Sequence, residues 1–347
     1  MKNKALTLTI AMFSLSLILV GCGKSDDKGN SQAAVKVESG SYIVPDSANI
    51  SQTKGNKGYL ALKVQVKNKT DDDIYASGSD FKLIDKDGHK ISTKDDVYMS
   101  NDDDDFKTFS EKIDGGDDAD GYIVFPVDKT AKYTLKYLPD VTSGDSKAIK
   151  INVAANKYKD GTKQAQKAVQ AYVDTIFLGK SDSNYSKYVA NDKNEEKDNF
   201  NDKLKDNLDT ELSDADLSDD QFKAVSSALE KANADRGSVE YKIESASAES
   251  AEISVKVKAI DLDDISDQIN DQVMDAIDNG KLDIDANNQE AVNKVVDNIA
   301  DILKKADVKS ESYDTKIKVS KEDGKWKIDS EDNSFDSLYD DFSGQIY

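Results

Sequence analysis

"YLALKVQVKN" (59–68) decides the fold of the first half of the chain. Leu60, Leu62, Val64 and Val66 fall on one side of an extended strand, and Lys63, Gln65 and Lys67 on the other. Successive side chains of a strand alternate between faces, so this period of two predicts a half-buried β-strand. The same alternation recurs downstream. "DFKLID" (80–85), "YIVFPV" (122–127), "YTLKYL" (133–138) and "AIKINV" (148–153) are strand-length runs, separated by turn signals such as Lys86-Asp87-Gly88 and Gly115-Gly116. Short strands between Asp- and Gly-rich turns, with no helical period, predict an all-β sandwich over residues 39–155.

Beyond residue 156 the period changes. Ala165, Val169, Val173 and Ile176 with Phe177 form one stripe that stops at Gly179, which predicts a helix ended by glycine. Phe200, Leu204, Leu208 and Leu212 lie four apart and carry a second helix. Ser218-Asp219-Asp220-Gln221 has the form of a capping box and opens a third. The strands "VEYKI" (239–243) and "AEISVKVKAI" (251–260) follow. Helical stripes come next, through Ile265, Ile269, Val273 and Ile277 and through Val292, Val295, Ile299, Ile302 and Leu303. A hairpin turning at Glu322-Asp323-Gly324 closes the set. Residues 156–347 are therefore expected to form an α+β domain, an antiparallel sheet with covering helices.

The chain begins differently. Lys2 and Lys4 precede an apolar stretch from Ala5 to Val20. That stretch is shorter than the roughly 20 residues a membrane-spanning helix needs, and it reads as an export signal. It ends at Leu19-Val20-Gly21-Cys22, and Cys22 is the only cysteine of the 347 residues. This boundary resembles the lipobox of bacterial lipoproteins. The resemblance implies cleavage after Gly21, a diacylglyceryl group on the sulfur of Cys22 with palmitate-type acyl chains, and anchoring at the outer face of the cell membrane. Residues 1–21 are then the signal peptide, and residues 22–38, small, polar and charged, are the lipidated cysteine with a flexible tether. An ordinary signal peptide beside an unrelated cysteine is the alternative.

Two further resemblances concern the folded parts. "YLALKVQVKNKTDDDIY", "FKLIDKDGHKI" and "DGYIVFPVDKTAKYTLKY" look like the telokin-like, immunoglobulin-type domain of lipoproteins from Gram-positive bacteria. The helix-led second half with its terminal "DGKWKI" resembles the domain of unknown function that accompanies it, and more loosely a cone-shaped, nuclear-transport-factor-2-like fold. The antibody-type cysteine pair is missing, so the resemblance implies architecture alone.

Composition limits the chemistry. With Cys22 committed to lipid, the folded part has no disulfide, thiolate nucleophile or thiolate metal site. A net charge of −21 argues against nucleic acid and against adsorption to anionic lipid. Arg236 is the only arginine among 47 basic residues, which leaves little for bidentate anion clamps. His89 is the only histidine, and with no cysteine in the folded part and no second histidine neither a zinc site nor a Ser-His-Asp triad is expected within the chain; its hairpin position reads as solvent-exposed. Acidic runs on predicted loops, above all Asp102, Asp103, Asp104 and Asp105, are calcium candidates, though none follows the EF-hand pattern. The competing reading makes them solvated loops that protect sheet edges. Trp326, Phe335 and Tyr339 read as core residues or, alternatively, as contacts for a ligand or partner.

Together these features lead to an expectation of a lipid-anchored, non-enzymatic envelope protein that uses no cofactor and binds an unknown envelope protein or another envelope component. The alternatives are a small-ligand binder with a pocket in the second domain and a carboxylate-dependent envelope hydrolase.

Overall fold

The computed structural model describes residues 32–46, 53–99, 106–139, 147–181, 183–211, 217–261, 271, 274, 275, 277–279, 288–310 and 312–343. Cys22 with its preceding Leu19, Val20 and Gly21, and the acidic run Asp102–Asp105, lie outside these residues.

The first region contains β1 (Ala33–Ile43), β2 (Lys57–Asn68), β3 (Ile74–Ser77), β4 (Phe81–Ile84), β5 (Lys90–Ser92), β6 (Ser110–Ile113), β7 (Asp118–Asp128), β8 (Lys132–Tyr137) and β9 (Ile149–Ala154). Three antiparallel sheets result, ordered β1-β2-β7, β5-β4-β8-β9 and β3-β6. In β2 the side chains of Leu60, Leu62, Val64 and Val66 are fully buried. They share one core with Ile123 and Phe125 of β7 and with Phe81, Leu83, Leu135 and Ile151 of the opposing sheet. The period of two is thus a consequence of two sheets closing on a common apolar layer. Strand β2 departs from simple alternation at its start, where Tyr59 and Ala61 are also buried. Val97 covers them from the other side, together with Ile43 and Val124.

The second region contains α1 (Thr162–Ile176), α2 (Tyr185–Tyr188), α3 (Lys193–Glu211), α4 (Asp219–Arg236), β10 (Ser238–Ala246), β11 (Ser250–Lys258), α5 (Asn288–Lys305), β12 (Asp314–Glu322), β13 (Lys325–Ile328) and α6 (Asn333–Ser343). The strands form one antiparallel sheet in sequential order. Ile253, Val255, Val257, Ile317, Val319, Trp326 and Ile328 turn inward against Ala165, Val169, Tyr172, Val173 and Ile176 of α1 and the apolar stripes of α3 to α6. The capping box is realised: Gln221 N donates to Ser218 Oγ, and Ser218 N donates to Gln221 Oε1. Gly179, after α1, has φ +58°, a left-handed conformation that favours glycine. Asp323 and Gly324 both have positive φ in the β12–β13 turn, as a two-residue Asp-Gly hairpin requires.

The two regions are joined through the backbone. Tyr42 N donates to Lys159 O, and immediately beyond β1, Val44 and Ala246 exchange both backbone hydrogen bonds at 2.8 Å. The first strand therefore continues beside the sheet of the second region.

Candidate functional site

Trp326, Phe335 and Tyr339, read from sequence as core or contact residues, are core. Trp326 is 2% exposed and alternates inward with Ile328. Phe335 and Tyr339 lie on the buried face of α6, their ring centroids 5.1 Å apart. Phe177 lies 5.7 Å from Tyr339 and stacks on Phe342 at 4.6 Å. These rings fill the space between helices and sheet where a cone-type fold would hold a ligand. The contact reading of the three residues is corrected accordingly: Trp326 turns inward by strand alternation, and the apolar stripe of α6 carrying Phe335 and Tyr339 finds its partner in the core beneath it.

Sequence reading did not single out Glu196, which is 6% exposed. Its Oε2 accepts from Tyr172 Oη at 2.5 Å, while Oε1 accepts from Asn191 Nδ2 at 2.7 Å and Ser330 Oγ at 3.0 Å. Asn191 also exchanges hydrogen bonds with the backbone of Ile328. Burial raises the Tyr172 hydroxyl far above its ordinary value, with Tyr339 and Glu196 adding to the effect. Burial also pushes Tyr339 up to about 12. Both phenols therefore stay protonated, and Tyr172 serves as a hydrogen-bond donor. Both carboxylate oxygens are engaged, so the arrangement ties α1, the start of α3 and the end of β13 together. Helix placement alone does not reveal which of Glu195 and Glu196 turns inward.

His89 is in the β4–β5 hairpin with its side chain 77% exposed, and Nδ1 lies 2.9 Å from Asp85 Oδ2. The hydrogen bond to Asp85 raises the histidine pKa above its ordinary value. Asp85, Asp87 and His89 place one ligand atom each within 4.8 Å of one another, a donor set that a divalent metal could use. Lys86 lies 2.7 Å from Asp87 and competes for that carboxylate.

A more extended feature lies in the first region. A cavity of about 260 Å³ is lined by Ser77, Ser79, Thr93, Thr108, Ser110 and Tyr122, among others. A wider depression of about 590 Å³ shares Thr93, Lys94 and Asp95 with it and continues past Tyr59, Asp96 and Pro126. Backbone hydrogen bonds fix the walls: Lys94 N to Val124 O at 2.8 Å, Gly78 N to Phe109 O at 2.9 Å, and Phe109 N to Tyr122 O at 2.8 Å. Thr93 Oγ1 donates to Asp95 Oδ1 at 2.7 Å, and Lys94 pairs with Asp96 at 2.9 Å. The hydroxyls come from four separate segments, and only the sheet topology brings them together.

Residues 155–343 match the sequence profile of DUF5105, a domain of unknown function, over more than half of the chain. The chain belongs to the DUF5105 family. Ahead of the DUF5105 match, and overlapping its start, residues 24–167 match DUF4352, another domain of unknown function. This DUF5105 protein is 28% identical over 328 residues to the uncharacterized lipoprotein YcdA of Bacillus subtilis strain 168, covering 88% of this chain and 86% of YcdA. The crystal structure of YcdA aligns with a TM-score of 0.69 at 26% identity, covering 90% of this chain and 97% of that one. The two-part arrangement is thus shared with a lipoprotein along nearly its whole length.

Proposed function

We propose that this DUF5105 protein is a lipoprotein anchored through Cys22 to the outer face of the cell membrane, where its two regions act as a non-enzymatic binding module of the envelope. One observation carries the anchoring: an apolar leader ends at Leu19-Val20-Gly21-Cys22 in a chain similar to a named lipoprotein almost from end to end. Two acyl chains hold a protein stably at a bilayer, at roughly 0.8 kcal/mol per buried CH₂, whereas one is marginal. Among the described residues no helix is long and apolar enough to cross a membrane. The non-enzymatic part rests on side-chain chemistry. The buried carboxylate Glu196 has its oxygens engaged by fixed donors, and the only histidine sits on an exposed hairpin. The test is fractionation of cells producing the wild type or Cys22→Ala. The variant accumulates as precursor or appears in the medium; membrane retention equal to wild type refutes the anchor.

A further inference from the structure

We infer that the trough on the first region, between the 77–79 and 93–96 segments and β7, is a saccharide-binding site for a sugar ring or a short run of glycan. This inference rests on the binding-module reading above and names its ligand class.

The lining carries the argument. Ser77, Ser79, Thr93, Thr108 and Ser110 contribute five hydroxyls around one cavity. A hydroxyl donates once and accepts twice, so a wall of hydroxyls matches a ligand whose own polar groups both donate and accept. Sugars meet that requirement; phosphates, which mainly accept, do not. The apolar side of a sugar ring also needs a surface to lie on. The half-buried Tyr122 ring offers that surface, backed by Phe109, Ile123 and Val124, which are themselves buried. The Tyr122 ring is held by a 4.6 Å stack on Phe106, so its orientation is set before any ligand arrives.

Charge at the trough selects against anions. Lys94 is paired with Asp96, and Asp95 accepts from Thr93. An anion would meet one committed lysine beside two carboxylates. A neutral polar ligand meets no such penalty. The hydroxyls of Ser77 and Thr93 are already held in place, Thr93 by its bond to Asp95 at 2.7 Å and Ser77 by Ser79 Oγ at 2.7 Å and Asp80 at 3.2 Å, which leaves both with lone pairs to accept from a ligand. Such preorganisation lowers the ordering cost of binding. Thr108 and Ser110 are exposed at the same opening. Gly78 keeps the space between Thr93 and Asp95 clear. A Cβ there would lie 3.3 Å from Asp95 Oδ1 and 3.7 Å from Thr93 Oγ1. The cavity opens into the wider depression at Thr93, Lys94 and Asp95, which provides a path for a chain longer than one ring.

The experiment uses the full chain in detergent. Titration calorimetry with maltotetraose and with the tetramer of N-acetylglucosamine probes soluble sugar, and sedimentation with purified insoluble cell-wall glycan probes the polymer. Two variants are compared. Gly78→Leu fills the trough, and Thr108→Val/Ser110→Ala removes two exposed hydroxyls at little cost to stability. Saturable binding to a probe, weakened about tenfold or more by Gly78→Leu and measurably by the double variant, supports the site. Binding to the insoluble glycan alone, lost in both variants, supports it with the polymer as source. No binding up to ~10 mM of either tetramer and none to the polymer overturns it, as does binding that neither variant changes. Capture of an envelope protein with no saccharide bound overturns the inference while the binding-module reading stands. Release of reducing sugar from a bound probe keeps the site and overturns the non-enzymatic reading instead.

Discussion

Asp341→Asn should make the protein more resistant to unfolding near neutral pH and leave it almost unchanged in acid. Asp341 lies in the last turn of α6 and is 9% exposed. That turn contains no basic residue, and the negative end of the helix dipole disfavours a carboxylate there. Burial raises its pKa from 3.8 to about 6; Lys309 opposes the shift and Asp340 reinforces it. A raised carboxyl pKa means that the unfolded chain loses its proton first. Stability attributable to this group therefore falls as pH climbs from about 4 to about 6 and stays low above that range. The cost is about 0.5 kcal/mol at pH 4 and approaches about 3 kcal/mol at pH 7.5, with each pKa unit worth about 1.4 kcal/mol. Asparagine cannot ionise and escapes the whole cost. Urea unfolding of both chains at the two pH values, extrapolated linearly to water, reads this difference. The stability advantage of the variant should grow by about 2.5 kcal/mol between pH 4 and pH 7.5. Lys309 and Asp340 are present in both chains. An advantage that is the same at both pH values refutes the reasoning, because any pH-independent effect of the amide cancels.

Glu196→Ala leaves Tyr172, Asn191 and Ser330 without their shared acceptor and should cost about 3 kcal/mol or more in urea unfolding, whereas a loss below about 1 kcal/mol would mean the network is dispensable. Gly40→Ala places a Cβ 2.7 Å from the Tyr158 ring and 2.8 Å from Leu62, so a loss of about 1–3 kcal/mol is expected, and an unchanged denaturation midpoint would refute the close packing. Val44→Pro removes the donor to Ala246 O and should uncouple the two regions, seen as faster proteolysis at the connecting segment; an unaltered cleavage rate speaks against the backbone link.

What the sequence made legible follows from what each pattern depends on. The alternation in 59–68 reports burial of one face, and in the structure that face is the core layer. The capping box at Ser218 and the Asp-Gly turn at residue 323 are local, settled by side chains within a few residues, and both could be read directly. Burial of Tyr59 and Ala61 could not be, because it depends on Val97 arriving from a distant segment. The engagement of Glu196 depends in the same way on Ser330, 134 positions away. The trough is a further case. Its serines and threonines are unremarkable one at a time and become a surface only when β3, β6, β7 and the 93–96 segment meet. With acids in large excess and a single arginine, charged clusters carry little information, and the only arginine serves the fold, donating to Leu303 O in the last turn of α5.

The junction explains why two regions of such different architecture can work as one unit. Contacts between domains are often polar and yielding, which lets the domains move independently. Here the link is made in the backbone, by the Tyr42–Lys159 bond and the paired bonds of Val44 and Ala246, with Tyr42 Oη donating to Ala155 O beside them. Lys129 and Asp160 add an ion pair at 2.5 Å across the same connection. Each hydrogen bond contributes only about 1 kcal/mol net, but opening the junction would break the paired bonds of Val44 and Ala246 together. Relative rotation of the regions is therefore costly compared with thermal energy. Strand β1 starts at Ala33, so residues 33–38, expected from sequence to belong to the tether, are instead strand paired with β2, and the strand passes directly into this junction. An anchor at Cys22 would then hold both regions through one strand, and the trough would keep a fixed orientation to the helical region whatever the tether does.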